Sequence, residues 1–234
     1  MTKRAGVTGT PHYLREYRTL LRTLRRRHGD DEEAALHSAV GGDYEAEGRV
    51  QADLVLTAAP AGDFSLLDVG CGSGRAAYAL SKEERVNYWG VDILPDLLDY
   101  AREKCARSDW RFDAITDIAL PASDAWADVI LFMSVFTHLK DSEIKRYLAE
   151  AARVTKPGGV IIASYLDRDN RAHRDLFQPA PLQRLARFLG RDVMLSFTTA
   201  TEFGDNLDAA GFSVEKTITY DTPRQHTMVA RRRS

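Results

Sequence analysis

The sequence predicts an α/β protein with a doubly wound, mostly parallel sheet of seven strands and an antiparallel final strand. From residue 64 onward, short apolar runs alternate with helical segments, which is typical of parallel strands joined by helical crossovers. The run 128–135 is almost entirely apolar, as expected for a central strand buried on both faces. The runs 213–220 and 226–232 are joined by a link too short for a crossover, so these two strands must be antiparallel.

The chain is expected to begin with a helical cover, residues 1–60, ahead of one globular domain at 61–234. Residues 13–27 place apolar side chains at helical spacing with arginines between them, which indicates a basic amphipathic helix. The segment 28–33 is interpreted as a loop, and 45–58 as a second helix.

Strands and helices alternate through the rest of the chain. Strands are predicted at 64–70, 86–93, within 110–116, and at 128–135, 160–165, 213–220 and 226–232. Helices are predicted between them at 75–83, 95–107, 141–154 and 201–210. His226 is expected to begin a final edge strand. The arginine-rich segment 166–200 follows the fifth strand as an insertion. Together with residues 1–28 it is expected to form a mobile cover over a ligand site.

Composition and charge restrict the possible partners. The net charge of −2 gives no general attraction for nucleic acid or an anionic membrane. Cys71 and Cys105, the two cysteines of the chain, form neither a disulfide framework nor a metal-ligand spacing. The sequence shows no signal peptide and no apolar run long enough to span a bilayer. We therefore expect a cytoplasmic protein with no bound metal and no membrane partner.

A glycine-rich turn follows the first strand of the sheet, at residues 68–74 with the sequence D-V-G-C-G-S-G. Ligands of open α/β sheets bind at the carboxyl ends of the strands, where glycine allows the backbone to approach them. Asp92 ends the second strand 18 residues after Gly74, where a carboxylate can accept the hydroxyls of a ribose. A nicotinamide fingerprint would need its third glycine at position 75, which is Arg75. A nucleoside ligand is predicted, and a dinucleotide is disfavoured.

The spacing of these motifs resembles the class I S-adenosylmethionine-dependent methyltransferases, which have a Rossmann-like fold. The resemblance starts with D-x-G-x-G-x-G at 68–74 and continues with G-V-D-I at 90–93. It extends through Asp117-Ile118, the fourth-strand segment 127–139 and R-V-T-K-P-G-G at 153–159. The resemblance implies a methyltransferase that uses S-adenosyl-L-methionine, releases S-adenosyl-L-homocysteine and needs no metal.

The same resemblance implies a set of cofactor-binding residues. They are Asp68, Gly70, Cys71, Gly72, Gly74, Asp92, Ile93, Asp117, Ile118 and Ser134. Asp68 would lie near the methionine amino group, Asp92 would accept the ribose hydroxyls, and Asp117 would accept the adenine amino group. Asp113 is an alternative to Asp117. The segment containing Tyr44, Gly48 and Gln51 would fold over the methionine carboxylate.

His138 is the candidate catalytic residue because it follows Ser134 at the end of the fourth strand. Its ordinary pKa of ~6.5 leaves it largely neutral at pH 7, so it can serve as a general base for an acceptor hydroxyl. A structural role, such as capping the next helix, is the alternative. His173 of the insertion is the competing base, and neighbouring arginines of the insertion would suit a hydroxylated or carboxylated acceptor.

The acceptor is expected to be a small polar metabolite, such as a sugar or natural product, methylated on oxygen or nitrogen. The segment S-V-F-T-H-L at 134–139 resembles methyltransferases that act on such molecules. Enzymes that methylate adenine N6 carry N/D-P-P-Y/F at the place where this chain has residues 134–137, so a DNA acceptor is disfavoured. An RNA or protein acceptor, a nicotinamide-dependent dehydrogenase and a non-catalytic binding relative remain alternatives.

Overall fold

The computed structural model describes residues 11–177 and 194–234. Residues 178–193 of the predicted insertion, and residues 1–10 of the predicted cover, therefore lie outside the described residues. The helices are α1 (His12–His28), α2 (Glu32–Val40), α3 (Tyr44–Ala58), α4 (Arg75–Leu80), α5 (Pro95–Cys105), α6 (Asp141–Val154), α7 (Arg171–Phe177) and α8 (Ala200–Ala209). The strands are β1 (Phe64–Val69), β2 (Val86–Asp92), β3 (Arg111–Ala114), β4 (Ala127–Phe132), β5 (Thr155–Tyr165), β6 (Phe212–Ile218) and β7 (His226–Arg232).

Within the described residues the strands form a seven-stranded sheet in the order β3-β2-β1-β4-β5-β7-β6. The pairs from β3 to β5 are parallel, and β7 runs antiparallel to both β5 and β6. The predicted fold class is therefore confirmed. The expectation that His226 begins an edge strand is wrong, because β7 inserts between β5 and β6 and leaves β6 at the edge. The winding reverses between β1 and β4, so their carboxyl ends border the crevice where such sheets bind ligands.

The sheet is buried on both faces, and β4 shows why its sequence is almost continuously apolar. Successive side chains of a strand point to opposite faces. Ile130 and Phe132 enter one apolar cluster together with α6, whereas Val129 and Leu131 enter the other together with α3 and α4. The two helical layers hold the carboxyl ends of the central strands in fixed positions.

The sequence interpretation missed the helix α2. Asp31 caps it by accepting a hydrogen bond from the Ala34 N–H at 2.9 Å, and Glu32 and Glu33 occupy its first turn. Two of its residues, Ala35 and Leu36, are buried, too few to produce a clear periodic pattern. The acidic segment that we interpreted as a loop therefore includes the start of a helix, and Val40 at its end contributes to the site described below.

The helix α1 is amphipathic as predicted. Its buried residues are Tyr13, Leu14, Leu21 and Leu24, and they lie on one face because a helix turns once every 3.6 residues. Among the described residues, every helix is too short or too polar to cross a bilayer.

Candidate cofactor and acceptor site

The glycine turn at the end of β1 has a backbone that other residues rarely adopt. The φ angles of Gly70, Gly72 and Gly74 are 72°, 58° and 79°. A Cβ atom on Gly72 would lie 2.5 Å from Cγ1 of Val40, and one on Gly70 would lie 2.5 Å from Cγ2 of Val135. Gly74 faces a different neighbour, because its Cβ would lie 2.6 Å from the Ala101 Cβ of α5. Gly70 and Gly72 keep the turn close to the cavity, whereas Gly74 allows α4 and α5 to pack together.

Asp92 joins the end of β2 to this turn. Its Oδ2 accepts the Gly72 N–H and its Oδ1 accepts the Leu94 N–H, each at 2.9 Å. The carboxylate is buried, and burial raises the pKa of Asp92 although these backbone hydrogen bonds oppose the shift. Each carboxylate oxygen has a second lone pair, so Asp92 can accept further hydrogen bonds from a ligand in the cavity that it lines.

Asp68 is a second buried carboxyl group, located in β1 on the same cavity. Tyr88 donates a hydrogen bond from its hydroxyl to Oδ2 at 2.7 Å. Burial raises the pKa of Asp68 to about 7, and the nearby charge of Asp92 adds to this shift. Near neutral pH, Asp68 is therefore ready to lose its proton when a cation binds beside it.

Arg75 also lines the cavity, at the position where a nicotinamide fingerprint would have glycine. Its Nη1 donates to the Gly41 carbonyl at 2.7 Å, and burial lowers the pKa of the guanidinium. In the part of the chain that the structure describes, no carboxylate forms an ion pair with Arg75. Arg75 is half-buried, and the charges of Glu47 and Asp68 act on it without a direct ion pair. Its guanidinium can therefore still bind an anionic group of a ligand in the cavity.

Ser134 lies beyond the end of β4 with a φ of 60°, in the left-handed region that side chains other than glycine rarely adopt. The Ser134 N–H donates to Ser164 Oγ at 2.7 Å. Ser164 Oγ donates in turn to Gln225 Oε1 at 2.7 Å. Gln225 Nε2 then donates back to Ser134 Oγ at 3.0 Å. These three residues form a closed ring of hydrogen bonds. The Ser134 O–H and the second N–H of Gln225 remain available as donors, and both residues line the cavity.

His138 ends a short 3-10 helix, Phe136–His138. Its Nδ1 lies 2.8 Å from the Met194 carbonyl, which can only accept, so Nδ1 carries the proton and Nε2 is the basic atom. Burial lowers the pKa of His138, which keeps the ring neutral at pH 7. The Tyr17 ring of α1 packs edge-on against it with centroids 5.4 Å apart, and His138 lines the cavity.

One cavity of about 520 Å³ unites these groups, a volume typical of small-molecule sites. The residues implied by the resemblance that line it are Asp68, Gly70, Cys71, Gly72, Asp92, Ile93 and Ser134, and the candidate base His138 lines it as well. From the predicted covers, α1 contributes Tyr13, Tyr17 and Leu20, and the segment before α8 contributes Leu195.

Three of the implied residues are not among those that line the cavity. Gly74 faces α5, and Ile118 is buried in the core. Asp117 accepts the Ala119 N–H at 2.9 Å, as a loop-capping residue does. The alternative, Asp113, accepts the Trp89 indole N–H at 2.8 Å. The adenine-binding role of Asp117 therefore stays a prediction, and Ile115 is the cavity residue from this part of the chain.

The residues of the helix α3 take different positions. Gln51 is buried and lines the cavity, and Tyr44 donates from its hydroxyl to the Ser73 carbonyl at 2.7 Å. A Cβ on Gly48 would lie 2.5 Å from the Arg75 carbonyl, so this glycine allows α3 and α4 to approach. Arg49 is exposed and pairs with Glu45 at 3.2 Å.

The polar residues of the described part of the insertion are used within the fold. His173 accepts the Asp167 N–H at Nδ1 and bonds the Arg224 carbonyl through Nε2, which leaves neither nitrogen for an acceptor. Arg168 pairs with Glu202, and Arg171 pairs with Asp175. His138 is therefore the better placed of the two candidate bases.

The sequence interpretation did not include Gln225, Arg75 as a ligand group, or Tyr17 as a wall of the cavity. Arg75 could have been noticed, because a charged residue directly follows the glycine turn. Tyr17 belongs to the apolar face of the helical pattern at 13–27, and the sequence does not show what that face contacts. Gln225 lies in the link between β6 and β7, and no local pattern marks it.

Comparison with known proteins finds the same type of domain. A family model described as a methyltransferase domain matches residues 66–159. The 2-methyl-6-phytyl-1,4-hydroquinone methyltransferase of Synechocystis sp. is 30% identical over 159 residues, 67% of this chain and 49% of that protein. The demethylmenaquinone methyltransferase of Tropheryma whipplei is 33% identical over 133 residues, 54% of this chain and 53% of that protein. The chain spans about half the length of these curated relatives.

Solved structures show the same fold. The PH0226 protein from Pyrococcus horikoshii OT3 is similar with a TM-score of 0.66 and 20% identity. The alignment covers 83% of this chain and 93% of that protein. At this identity the likeness concerns the fold alone, and it agrees with the Rossmann-like class that the sequence predicts.

Proposed function

Because the chain belongs, through residues 66–159, to the class I S-adenosylmethionine-dependent methyltransferases, we propose that it methylates a hydroxyl group of a small molecule with an apolar body. One observation carries this proposal. A single cavity joins the buried carboxylate of Asp92 and the glycine turn to the neutral imidazole of His138. Such a cavity can hold a nucleoside cofactor at one side and an acceptor beside a base at the other.

The residues around the glycine turn fit S-adenosyl-L-methionine. Asp92 would accept the ribose hydroxyls, Asp68 would face the methionine amino group, and the otherwise unpaired Arg75 would bind the methionine carboxylate. When bound, the cofactor supplies a methyl group that its sulfonium activates. The protein therefore has to orient the acceptor, exclude water and remove a proton.

The walls near His138 are aromatic and aliphatic. Tyr17 packs against the imidazole of His138, and Leu139 is the next residue after His138 in the chain. Leu195 directly follows Met194, whose carbonyl accepts the hydrogen bond of His138. Met133 lines the cavity next to Ser134. These walls favour an acceptor with an apolar body over the sugar-like metabolite that the sequence suggests. The names of the hydroquinone and menaquinone methyltransferases among the relatives support this choice.

The Ser134–Gln225 pair would anchor an oxygen of the acceptor. Both of its free groups are donors, so the matching group is an oxygen that accepts two hydrogen bonds, such as a carbonyl or a phenolate. Ser134 keeps its positive φ at a cost of ~1–3 kcal/mol, and the hydrogen bond from its N–H to Ser164 holds it there. This arrangement would place a neighbouring hydroxyl of the acceptor near His138.

His138 would accept the proton of that hydroxyl at Nε2. The Met194 carbonyl fixes the ring so that Nδ1 keeps its own proton, and the lowered pKa keeps Nε2 free at pH 7. The rate should fall as the pH drops through the lowered pKa of His138, because the protonated ring can no longer accept.

The proposal is tested by measuring methyl transfer to a panel of hydroquinones and hydroxylated sugars. The proteins compared are wild type, His138→Gln and, as the matched control for that substitution, His28→Gln. We expect wild type to transfer the methyl group to hydroquinones. His138→Gln should lower kcat at least ~10²-fold and leave the affinity for S-adenosylhomocysteine unchanged. The fall of kcat at acidic pH that wild type shows should be flattened in this variant. His28→Gln should behave as wild type. Transfer to sugars alone would refute the acceptor class, and an unchanged kcat in His138→Gln would refute the general base.

A further inference from the structure

The outward face of α1 is strongly basic. Arg15, Arg18, Arg22 and Arg26 are all exposed, and their spacing places them within an arc of about 80° along about 16 Å of helix. Within the described residues none of the four pairs with a carboxylate, whereas Arg25 on the flank of this face binds Glu32 and Asp96. We call these four residues the arginine stripe.

The opposite face of the same helix forms a wall of the cavity. Tyr13, Tyr17 and Leu20 line it, and they lie about half a turn away from the arginine stripe. A single helix therefore separates the acceptor from a positively charged outer surface, so a partner attracted to the stripe would lie next to the cavity.

We propose that the arginine stripe docks the protein on an anionic lipid bilayer from which it takes its acceptor. The choice of partner rests on the proposed function, because an acceptor with an apolar body dissolves in a bilayer. The apolar face of α1 stays in the protein, so the contact would be electrostatic, and a cluster of four or more arginines on a helix is typical of segments that bind anionic lipid headgroups in this way. Each such side chain near the surface strengthens binding by about fivefold.

The net charge of −2 for the whole chain predicts no membrane partner, in contrast to the arginine stripe. Electrostatic attraction decays over a Debye length of about 8 Å at physiological ionic strength. A surface that contacts α1 therefore responds to the local stripe more than to carboxylates on remote faces. Charge complementarity then favours an anionic partner.

Sedimentation of the full chain with vesicles tests the docking. One set of vesicles is pure phosphatidylcholine, and the other is an equal mixture with phosphatidylglycerol. The test variant changes the whole arginine stripe to glutamine. The matched control makes the same charge change at four exposed arginines on other elements, Arg49, Arg102, Arg111 and Arg171.

We expect binding to the anionic vesicles, weakening with added salt, and no binding to the neutral ones. Four losses of about fivefold multiply to several hundredfold, so the stripe variant should bind the anionic vesicles at least ~10²-fold more weakly than wild type. The control variant should stay close to wild type. Equal losses in the two variants, or binding of wild type to polyuridylate or polyglutamate without binding to vesicles, would overturn the proposal.

Titration of S-adenosylhomocysteine separates this proposal from the proposed function. If wild type and the stripe variant bind the nucleoside equally but neither binds vesicles, the docking is wrong and the methyltransferase site stands. If wild type binds anionic vesicles but not the nucleoside, the docking stands, and the proposed methyltransferase function fails together with the uptake of an acceptor from the bilayer.

Discussion

Binding of S-adenosylhomocysteine is expected to weaken as the pH falls below 7, because the proposed site places the amino group of the ligand beside Asp68, which has to be ionised there. The group that titrates is buried, and burial raises its pKa to about 7. The Tyr88 hydroxyl limits this rise by donating to the carboxylate, Asp92 adds to it, and the Arg75 charge opposes it.

The size of the effect follows from the fraction of Asp68 that is ionised in the free protein. With a pKa of about 7, roughly one molecule in eleven is ionised at pH 6 and roughly ten in eleven at pH 8. The dissociation constant should therefore be about tenfold larger at pH 6 than at pH 8. Burial lowers the pKa of His138 below its ordinary value, so its titration lies below that of Asp68.

Isothermal titration calorimetry in buffers of different ionisation enthalpy measures the affinity and the proton released on binding. Wild type should release close to one proton at pH 6. Asp68→Asn should bind more weakly at pH 8 and lose the pH dependence. Tyr88→Phe should move the dependence to higher pH, because it removes the hydrogen bond that favours the ionised form. A wild-type affinity that is equal at pH 6 and pH 8 would refute the reasoning.

Three further substitutions separate the groups of the site. Gly72→Val should abolish nucleoside binding and lower Tm, because a Cβ at this position would lie 2.5 Å from Val40. The control Gly204→Ala should keep nucleoside binding and Tm, because nothing lies within 4 Å of a Cβ there. Asp92→Ala should weaken nucleoside binding and lower stability by ~1–3 kcal/mol per backbone N–H left unpaired, so wild-type Tm and affinity would contradict both roles. Gln225→Leu should raise the KM for the acceptor and leave the affinity for S-adenosylhomocysteine, measured by calorimetry, unchanged. An unchanged KM with weaker binding of S-adenosylhomocysteine would show that Gln225 contacts the cofactor and not the acceptor.

The parts of the site that the sequence predicts are those whose geometry depends on residues close to one another along the chain. The glycine turn and Asp92 are readable because the turn needs positive φ at fixed positions and the carboxylate ends a strand. The helix α2 was not predicted because it buries few apolar side chains. The exact extent of β5 was not predicted either, since the Pro-Gly-Gly segment that we placed before it lies inside the strand.

The contacts between distant segments could not be predicted. His138 depends on the Met194 carbonyl for its tautomer, and Ser134 depends on Gln225 for its second partner. These pairs are separated by 56 and 91 residues in the chain, and neither periodicity nor motif spacing carries information about them. The sequence therefore identified His138 as a candidate base without the contact that fixes which nitrogen is basic.

The cavity combines two sets of residues of different origin in the chain. The groups assigned to the cofactor, Asp68, the glycine turn and Asp92, all lie within the matched range 66–159. Several walls of the acceptor side, Tyr17, Leu195 and Gln225, lie outside that range. The nucleoside is common to the family, whereas the acceptor differs from one relative to another. The identity of the acceptor should therefore depend on α1 and on the segments around Leu195 and Gln225, and exchanging these with a relative should change the acceptor before it changes cofactor affinity.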